Sequence, residues 1–457
     1  MEPPIALPSR DDPVVAAASE RIGGPVGQRA AIGRSWWSPV RVALAVASVV
    51  LGLGFLADAP CRDDAWAARE DRDLWTNLCY SDVAFLYRER GFADGALAYR
   101  DSGLEYPVLT GAVMQVSASL ARALTEAPAA DPADASGNSS RSLAESRRFY
   151  DVTALLMGLA ALVVVVAVAR TVPRRPWDAM LVAASPVLLL TATINWDLLA
   201  AAIAALAILA WTRERPVLAG VLVGLGTAAK LYPALLLGAM FLVALRAADR
   251  RQALADFART VGAAITAWIA VNLPVYLWSP DGWRAFFRFN ADRPADFGSP
   301  WYAIDLVWPG VLPERIEPVV VVAAIGLLAL IAWLAIAAPV PPRLAQLTFL
   351  AVAAFLLVNK VWSPQYALWL VPLAALARPR WRDLLIWQAA EVAYFVAVWW
   401  HLAGLYESDN PIIGPQTYAL ATALRIAGLA WLAAMVVRDV LQPWQDPVRP
   451  YLEPVRP

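Results

Sequence analysis

The sequence predicts an all-α protein that crosses a membrane about twelve times. Of its 457 residues, 60% are hydrophobic and only 17% are charged, and the mean hydropathy is +0.52. Soluble globular domains have about 25% charged residues. The chain also contains 21 Trp residues, a residue type enriched at membrane interfaces. These observations exclude a soluble protein with an ordinary charged surface.

Twelve apolar runs account for the predicted spans, because a helix needs about 20 mostly apolar residues to cross a bilayer core of ~30 Å. They are residues 41–57, 149–169, 178–194, 197–211, 216–229, 234–245, 257–277, 317–338, 344–358, 366–377, 384–400 and 416–437. Together they predict one transmembrane domain over residues 41–437. Residues 1–40, rich in Pro, Gly and Arg, are predicted to be a disordered cytoplasmic tail, and residues 438–457 a second cytoplasmic tail.

Clusters of arginine recur at every second connection between these runs, and the positive-inside rule places those connections in the cytoplasm. The other connections then face outward, including the first outer loop, residues 58–148, and a second large loop, residues 278–316. Residues 106–124 mix polar and apolar side chains, which favours an amphipathic interfacial helix over a thirteenth span. Both cysteines, Cys61 and Cys79, lie in the first outer loop, where they could form a disulfide or remain as two free thiols.

The chain has only two lysines, Lys230 and Lys360, and 36 arginines. Each lysine lies where an apolar run ends near an aromatic residue and a proline. A compact ammonium retained in a sequence that otherwise uses Arg indicates a role that a guanidinium cannot fill. Since both lysines are predicted at the outer membrane surface, a phosphate is the expected ligand. Chance survival in a biased composition is the alternative.

Acidic side chains on the outer side are a second group of candidates. Asp82 and Glu105 adjoin apolar helical stretches, and Asp197 follows Asn195 and Trp196 between two spans. A carboxylate so close to the bilayer core is costly unless it is solvated or paired, so it is a functional hypothesis by default. Asp82 and Asp197 could instead be helix N-caps.

The second outer loop interleaves aromatic residues with Arg288 and Arg293, a pattern that suits a lipid-linked sugar or an interfacial anchor. The only histidine, His401, ends a span on the same side. Motifs of soluble enzymes are missing, since the chain has neither a phosphate-binding P-loop nor a set of His and Cys residues for zinc.

Over residues 41–437 the chain resembles the GT-C superfamily of membrane glycosyltransferases. Within that superfamily it resembles the actinobacterial members of glycosyltransferase family 87, which depend on polyprenyl-phosphate mannose. The resemblance is carried by Asp82, Glu105-Tyr106-Pro107, Asn195-Trp196-Asp197, Lys230-Leu231-Tyr232-Pro233, and Lys360 with Ser363-Pro364-Gln365-Tyr366.

This resemblance implies a mannosyltransferase of the bacterial plasma membrane, working at the outer face. It implies transfer of a sugar, expected to be mannose, from a polyprenyl monophosphate to a cell-envelope glycolipid or glycan, with inversion. Asp82 would be the general base. The donor phosphate would be bound by Lys230, Tyr232, Lys360, Gln365, Arg288, Arg293 and His401, and the sugar or acceptor by Glu105, Tyr106, Asn195, Asp197 and Trp362.

A monophosphate leaving group beside fixed cations needs no divalent metal, so we expect neither a metal nor another cofactor. The expected partners are the two substrates and membrane lipids, without nucleic acid. A transporter or flippase of a lipid-linked saccharide would also have many spans and is the alternative function. A non-catalytic scaffold of envelope assembly is a third.

Overall fold

The computed structural model describes residues 12–22, 36–67, 72–126, 139–313, 315–406 and 411–449. This part of the chain is all-α, with an isolated β-bridge between Ala98 and Ser102. The longer helices are Pro13–Ile22, Pro39–Ala57, Val108–Leu124, Ser140–Thr171, Asp197–Thr212, Pro216–Ala229, Leu235–Leu245, Arg250–Trp278, Pro280–Asp292, Glu317–Ala337, Leu344–Val358, Ala367–Ala377, Trp381–Tyr406 and Pro415–Leu441. Shorter helices are Ala59–Asp63, Arg72–Thr76, Asp82–Glu89, Met180–Ala183, Pro186–Thr191 and Pro300–Val307.

Five of the described helices are long and apolar enough to cross a membrane, which supports a membrane protein. They are Pro39–Ala57, Ser140–Thr171, Arg250–Trp278, Glu317–Ala337 and Pro415–Leu441. Shorter apolar helices cover several other predicted runs, so the count of twelve spans stays a prediction. The run 178–194 is not one helix. It is interrupted before Pro186, which has no N–H to donate, and Ser185 caps the next segment by accepting a hydrogen bond from Leu188 N.

Close packing between two helices of the bundle depends on small residues. A Cβ at Gly220 would lie 2.2 Å from Thr260 O, and one at Gly224 would lie 2.3 Å from Ala264 O. The Pro216–Ala229 helix therefore contacts the backbone of the Arg250–Trp278 helix directly, as small residues four apart allow in membrane bundles.

Arginines that the sequence places in the cytoplasm meet at one end of the bundle. The contacts are Arg213 Nη2 to Arg170 O at 3.0 Å, Arg175 Nη1 to Pro447 O at 3.0 Å, Arg343 Nε to Asp446 Oδ2 at 2.8 Å and Arg343 Nη1 to Leu376 O at 2.6 Å. These connections thus share one side of the molecule, as predicted from their charge.

Parts of both predicted tails pack at this end. Residues 13–22 form a helix capped by Asp12, whose other carboxylate oxygen accepts a hydrogen bond from Trp381 N at 2.9 Å. The prediction of disorder is therefore wrong for these residues. The second tail begins inside a helix that ends at Leu441, and Asp446 beyond it is buried. Residues 1–11, 23–35 and 450–457 lie outside the described residues.

The described part of the first outer loop contains the short helices Ala59–Asp63, Arg72–Thr76 and Asp82–Glu89 and the longer helix Val108–Leu124. Cys61 and Cys79 form a disulfide, with their Cα atoms 5.9 Å apart, and Trp66 Nε1 donates to Cys79 O at 2.9 Å. The Val108–Leu124 helix is attached to the bundle, because Thr110 Oγ1 donates to Ala229 O at 2.8 Å. Its interfacial position stays a prediction.

Candidate active site

A cavity of about 430 Å³ lies at the end of the bundle opposite to the arginine contacts. It is lined by the first outer loop, the turn before Asp197, Lys230, the Pro280–Asp292 helix with the loop that follows, residues 363–366 and the Trp381–Tyr406 helix. Of the residues predicted for the site, the lining contains Asp82, Glu105, Tyr106, Asn195, Lys230, Arg293 and Gln365. Segments far apart in sequence therefore form one site.

Two hydrogen bonds attach Ser81 and Asp82 to the turn between two helices of the bundle. Asp82 N donates to Ile194 O at 2.9 Å, and Ser81 Oγ donates to Thr193 O at 2.7 Å. Ser81 is the N-cap of the Asp82–Glu89 helix, since its hydroxyl accepts from Val83 N. The interpretation of Asp82 as the helix cap is therefore wrong.

The Asp82 carboxylate accepts hydrogen bonds from two tyrosines. Tyr80 OH donates to Oδ1 at 2.7 Å, and Tyr106 OH donates to Oδ2 at 3.4 Å. These two contacts orient the carboxylate at the cavity that it lines. This geometry suits a group that accepts a proton from a substrate.

Lys230 lies in a cage of aromatic rings above a buried acid. Its Nζ is 2.7 Å from Asp197 Oδ1 and lies 5.0 Å from the ring centroid of Tyr366, 5.3 Å from that of Tyr106 and 5.7 Å from that of Trp369. Asp197 itself is 1% exposed and does not line the cavity. Asp197 is the first residue of a helix whose N-cap is Trp196, which makes no side-chain capping hydrogen bond, so the interpretation of Asp197 as an N-cap is wrong. Its carboxylate pairs with Lys230 instead.

Asn195 and Asp197 are joined by a local hydrogen bond. Asn195 Oδ1 accepts from Asp197 N at 2.9 Å, while its Nδ2 lies 3.5 Å from Tyr106 OH. Asn195 thus links Asp197, which pairs with Lys230, to Tyr106, which donates to Asp82.

Two ion pairs complete the polar lining. Arg293 Nε lies 2.7 Å from Asp296 Oδ2, and Arg90 contacts both carboxylate oxygens of Glu105 at 2.7 and 2.9 Å. Neither Arg90 nor Asp296 was predicted from the sequence. Glu105, predicted to contact the acceptor, is paired with an arginine within the cavity lining.

Lys360 and Arg288, both predicted to bind phosphate, lie outside this lining. Lys360 Nζ is 3.0 Å from Glu317 Oε1, and Arg288 is 61% exposed with Nη2 3.3 Å from Asp281 Oδ1. Their placement does not support a role as phosphate ligands in the cavity.

His401 and Tyr232 are buried behind the lining. The His401 ring stacks on Tyr418 with centroids 4.2 Å apart, and its Nε2 lies 3.1 Å from Tyr302 OH. Tyr232 stacks on Trp369 at 4.5 Å. Both contacts are those of packed structural residues, and neither side chain reaches the cavity.

A buried arginine holds the segment that contains Gln365. Arg425 Nε donates to Glu391 Oε2 at 2.8 Å, its Nη1 donates to Trp362 O at 2.6 Å and its Nη2 donates to Ser363 O at 3.2 Å. The Arg425 guanidinium lies 4.1 Å from the ring centroid of Trp362. Trp362 therefore helps Arg425 to hold residues 363–365 in place. It does not line the cavity.

In the described part of the chain, no group of three or more His, Cys, Asp or Glu side chains could hold a metal ion. That catalysis needs no metal stays a prediction. The cavity itself offers an oriented carboxylate and nearby cations, which is the chemistry of proton removal beside an anionic leaving group.

Comparison with known proteins gives a family match over part of the chain. Residues 145–359 match the model of glycosyltransferase family 87. No curated protein matches the chain significantly. A solved structure, ArnT from Cupriavidus metallidurans bound to undecaprenyl phosphate, is 14% identical with a TM-score of 0.43, covering 86% of this chain and 77% of that one. This match, over somewhat less than half of the chain, supports the resemblance seen in the sequence, and residues 145–359 are similar to glycosyltransferase family 87.

Proposed function

We propose that this protein transfers a sugar, mannose, from a polyprenyl monophosphate to a hydroxyl of a cell-envelope glycan or glycolipid, with inversion. The observation that carries the proposal is that the oriented Asp82 carboxylate and the Lys230 ammonium line one cavity. A base for the acceptor and a cation for the leaving group are the two functions that such a transfer needs.

In the proposed step, the acceptor oxygen attacks the anomeric carbon of the sugar from the side opposite to the phosphate. The new carbon–oxygen bond forms while the bond from the anomeric carbon to the phosphate oxygen breaks. The acceptor proton moves to Asp82, and the polyprenyl phosphate leaves with the bonding electron pair. A single displacement of this kind inverts the anomeric configuration.

The cations at the cavity retain donors for a phosphate. Lys230 has three N–H donors, of which one is directed to Asp197. Arg293 contacts Asp296 through Nε and Nη2, which leaves Nη1 for another acceptor. Both side chains can therefore hydrogen-bond an anion without losing their carboxylate partners.

An apolar edge beside the cavity suits a lipid-linked donor. Phe289 lines the cavity and is also 42% exposed, and Leu277, Trp278 and Phe287 on neighbouring turns are exposed as well. In a bilayer these side chains would contact lipid, so a polyprenyl chain could stay in the membrane while its phosphate reaches Lys230. The arginine contacts at the opposite end favour a cavity that faces outward.

Replacement of Asp82 by Asn tests this function. The amide keeps the size of the side chain and can still pair with the tyrosines, but it cannot accept the proton. We expect loss of transfer from radiolabelled polyprenyl-phosphate mannose, with donor binding retained. Asp101→Asn is the matched control, because Asp101 lies in the same loop, outside the cavity lining, and among the described residues it pairs with Arg100 and Leu97 N.

Retention of more than about a tenth of the wild-type turnover by Asp82→Asn, a barrier change below ~1.4 kcal/mol, would reject Asp82 as the base. If the wild-type protein moves the labelled donor across a vesicle membrane without converting it, the protein is a transporter.

A further inference from the structure

A carboxylate at the end of the first long helix joins three parts of the bundle. Asp58 is the C-cap residue of the Pro39–Ala57 helix and does not line the active-site cavity. Its Oδ2 accepts hydrogen bonds from Tyr150 OH at 2.5 Å and from Thr193 Oγ1 at 2.6 Å. Tyr150 lies on the Ser140–Thr171 helix, and Thr193 lies in the turn that holds the proposed base. One acceptor atom therefore links the first helix, the second long helix and this turn.

The contact with Thr193 leads directly to Asp82. Thr193 O accepts from Ser81 Oγ at 2.7 Å, and the next carbonyl, Ile194 O, accepts from Asp82 N at 2.9 Å. Thr193 thus gives its hydroxyl to Asp58 and its carbonyl to the residue before Asp82. Hydrogen bonds to an ionised acceptor are among the stronger ones in proteins. The direction of the two carbonyls that hold Asp82 therefore depends on the Asp58 carboxylate.

The contact with Tyr150 supports the same segment from another side. The Tyr150 ring packs on Trp66 with centroids 4.4 Å apart, and Trp66 Nε1 donates to Cys79 O at 2.9 Å. Arg88, in the helix that begins at Asp82, donates through Nη2 to Trp66 O at 2.5 Å. The chain before Asp82 and the helix after it are thus both attached to the tryptophan that packs on Tyr150.

We infer that Asp58 is a positioning residue for Asp82. It orients the turn and Tyr150 by accepting two hydroxyl hydrogen bonds, and it takes no proton from a substrate. The inference rests on the proposed function, which makes Asp82 the general base. Positioning requires an acceptor oxygen and not a charge, and an amide oxygen has two lone pairs that can accept both hydroxyls. The same change from Asp to Asn should therefore have opposite effects at Asp58 and at Asp82.

Turnover is the first test, with polyprenyl-phosphate mannose as donor and n-octyl α-D-mannopyranoside as acceptor. Asp58→Ala removes both contacts, and Thr193→Val removes one of them while the carboxylate stays. Both should lower kcat, by on the order of 10–100-fold for Asp58→Ala, because a small misplacement of a reacting group is costly. KM for the donor should stay within about twofold, since Lys230 keeps its own partner, Asp197. Asp58→Asn should retain at least about a third of the wild-type kcat.

Hydrogen–deuterium exchange tests the same support without turnover. The Asp82 amide, which donates to Ile194 O, should exchange about tenfold faster in Thr193→Val and in Asp58→Ala than in the wild type. Asp63→Ala is the matched control, because the Asp63 side chain is 73% exposed and lies in the same loop outside the cavity lining. This control should change neither kcat nor the exchange of the Asp82 amide.

The inference is overturned by wild-type kcat in Thr193→Val, or by a loss in Asp58→Asn as complete as that in Asp82→Asn. It is also overturned if kcat and donor binding fall together while exchange increases throughout the bundle, because Asp58 would then serve only general stability. If Asp58→Ala does not fold, Thr193→Val decides. A wild-type protein without any turnover would instead reject the proposed function, while exchange of the Asp82 amide still tests the positioning.

Discussion

Removal of the Lys230 ammonium is expected to damage both folding and catalysis. Lys230 Nζ lies 2.7 Å from Asp197 Oδ1, and Asp197 is 1% exposed. Lys230→Ala therefore leaves a buried carboxylate without its cation, which typically costs about 3–5 kcal/mol. If Lys230 donates to the leaving phosphate, as proposed, the loss of its ammonium should also slow transfer by on the order of 10²–10³, or about 2.7–4 kcal/mol.

A double variant separates these two effects. Lys230→Met combined with Asp197→Asn removes both charges and keeps a long side chain in the aromatic cage, so most of the folding penalty should disappear. Transfer should remain impaired, because the phosphate still lacks its cation. Thermal unfolding in detergent measures the first effect, and kcat and KM for polyprenyl-phosphate mannose measure the second.

Lys230→Arg adds a test of shape. Three ring centroids lie within 5.0–5.7 Å of Nζ, so a wide planar guanidinium should not occupy the same position, and activity should fall as it does with Ala. The reasoning is refuted if the double variant regains both stability and donor kinetics within about threefold of wild type. Lys230 would then serve only as the counterion of Asp197.

Three further predictions concern residues away from the cavity. Lys360→Arg should keep at least half of the wild-type turnover, because its carboxylate partner is 44% exposed and lies outside the lining; a loss above tenfold in donor kinetics would contradict this. Replacement of Cys61 and Cys79 by Ser should lower stability by about 3 kcal/mol in chemical denaturation, and mass spectrometry of unreduced wild-type protein should find no free thiol. A cysteine introduced at Asp281, 80% exposed, should react with an impermeant maleimide on intact cells, whereas one at Ala248 should react only after lysis; the reverse pattern would invert the topology.

The helical fold was predictable because apolar runs of this length have few alternatives in a membrane. The interruption at Ser185-Pro186 was also visible in the sequence, since Ser followed by Pro is a typical helix start. Asp12-Pro13 carries the same signal at the start of the helix in the predicted tail. Neither signal was used, because the prediction relied on hydropathy and composition. By these measures residues 178–194 are one apolar run and residues 1–40 are a polar tail.

The site was predictable only in part, because the sequence shows residue types but not their partners. Lys360 and His401 drew attention because they are rare, yet rarity reflects composition and does not locate a side chain. Lys360 contacts an acid 43 positions earlier in the chain, and no local pattern indicates this. Arg90 was missed for the same reason. Tyr80, two residues before Asp82, was a local signal that could have been used.

The attachment of Asp82 to Ile194 O has a consequence for how the first outer loop can change. Only Asn195 and Trp196 separate that carbonyl from Asp197, which in turn holds Lys230. Asp82, the proposed general base, and Lys230, the proposed phosphate ligand, are thus both attached to one four-residue turn. Insertions or deletions elsewhere in residues 58–148 can alter the length of the loop without changing the distance between the two groups. The proposed transfer step would therefore tolerate changes in the length of this loop.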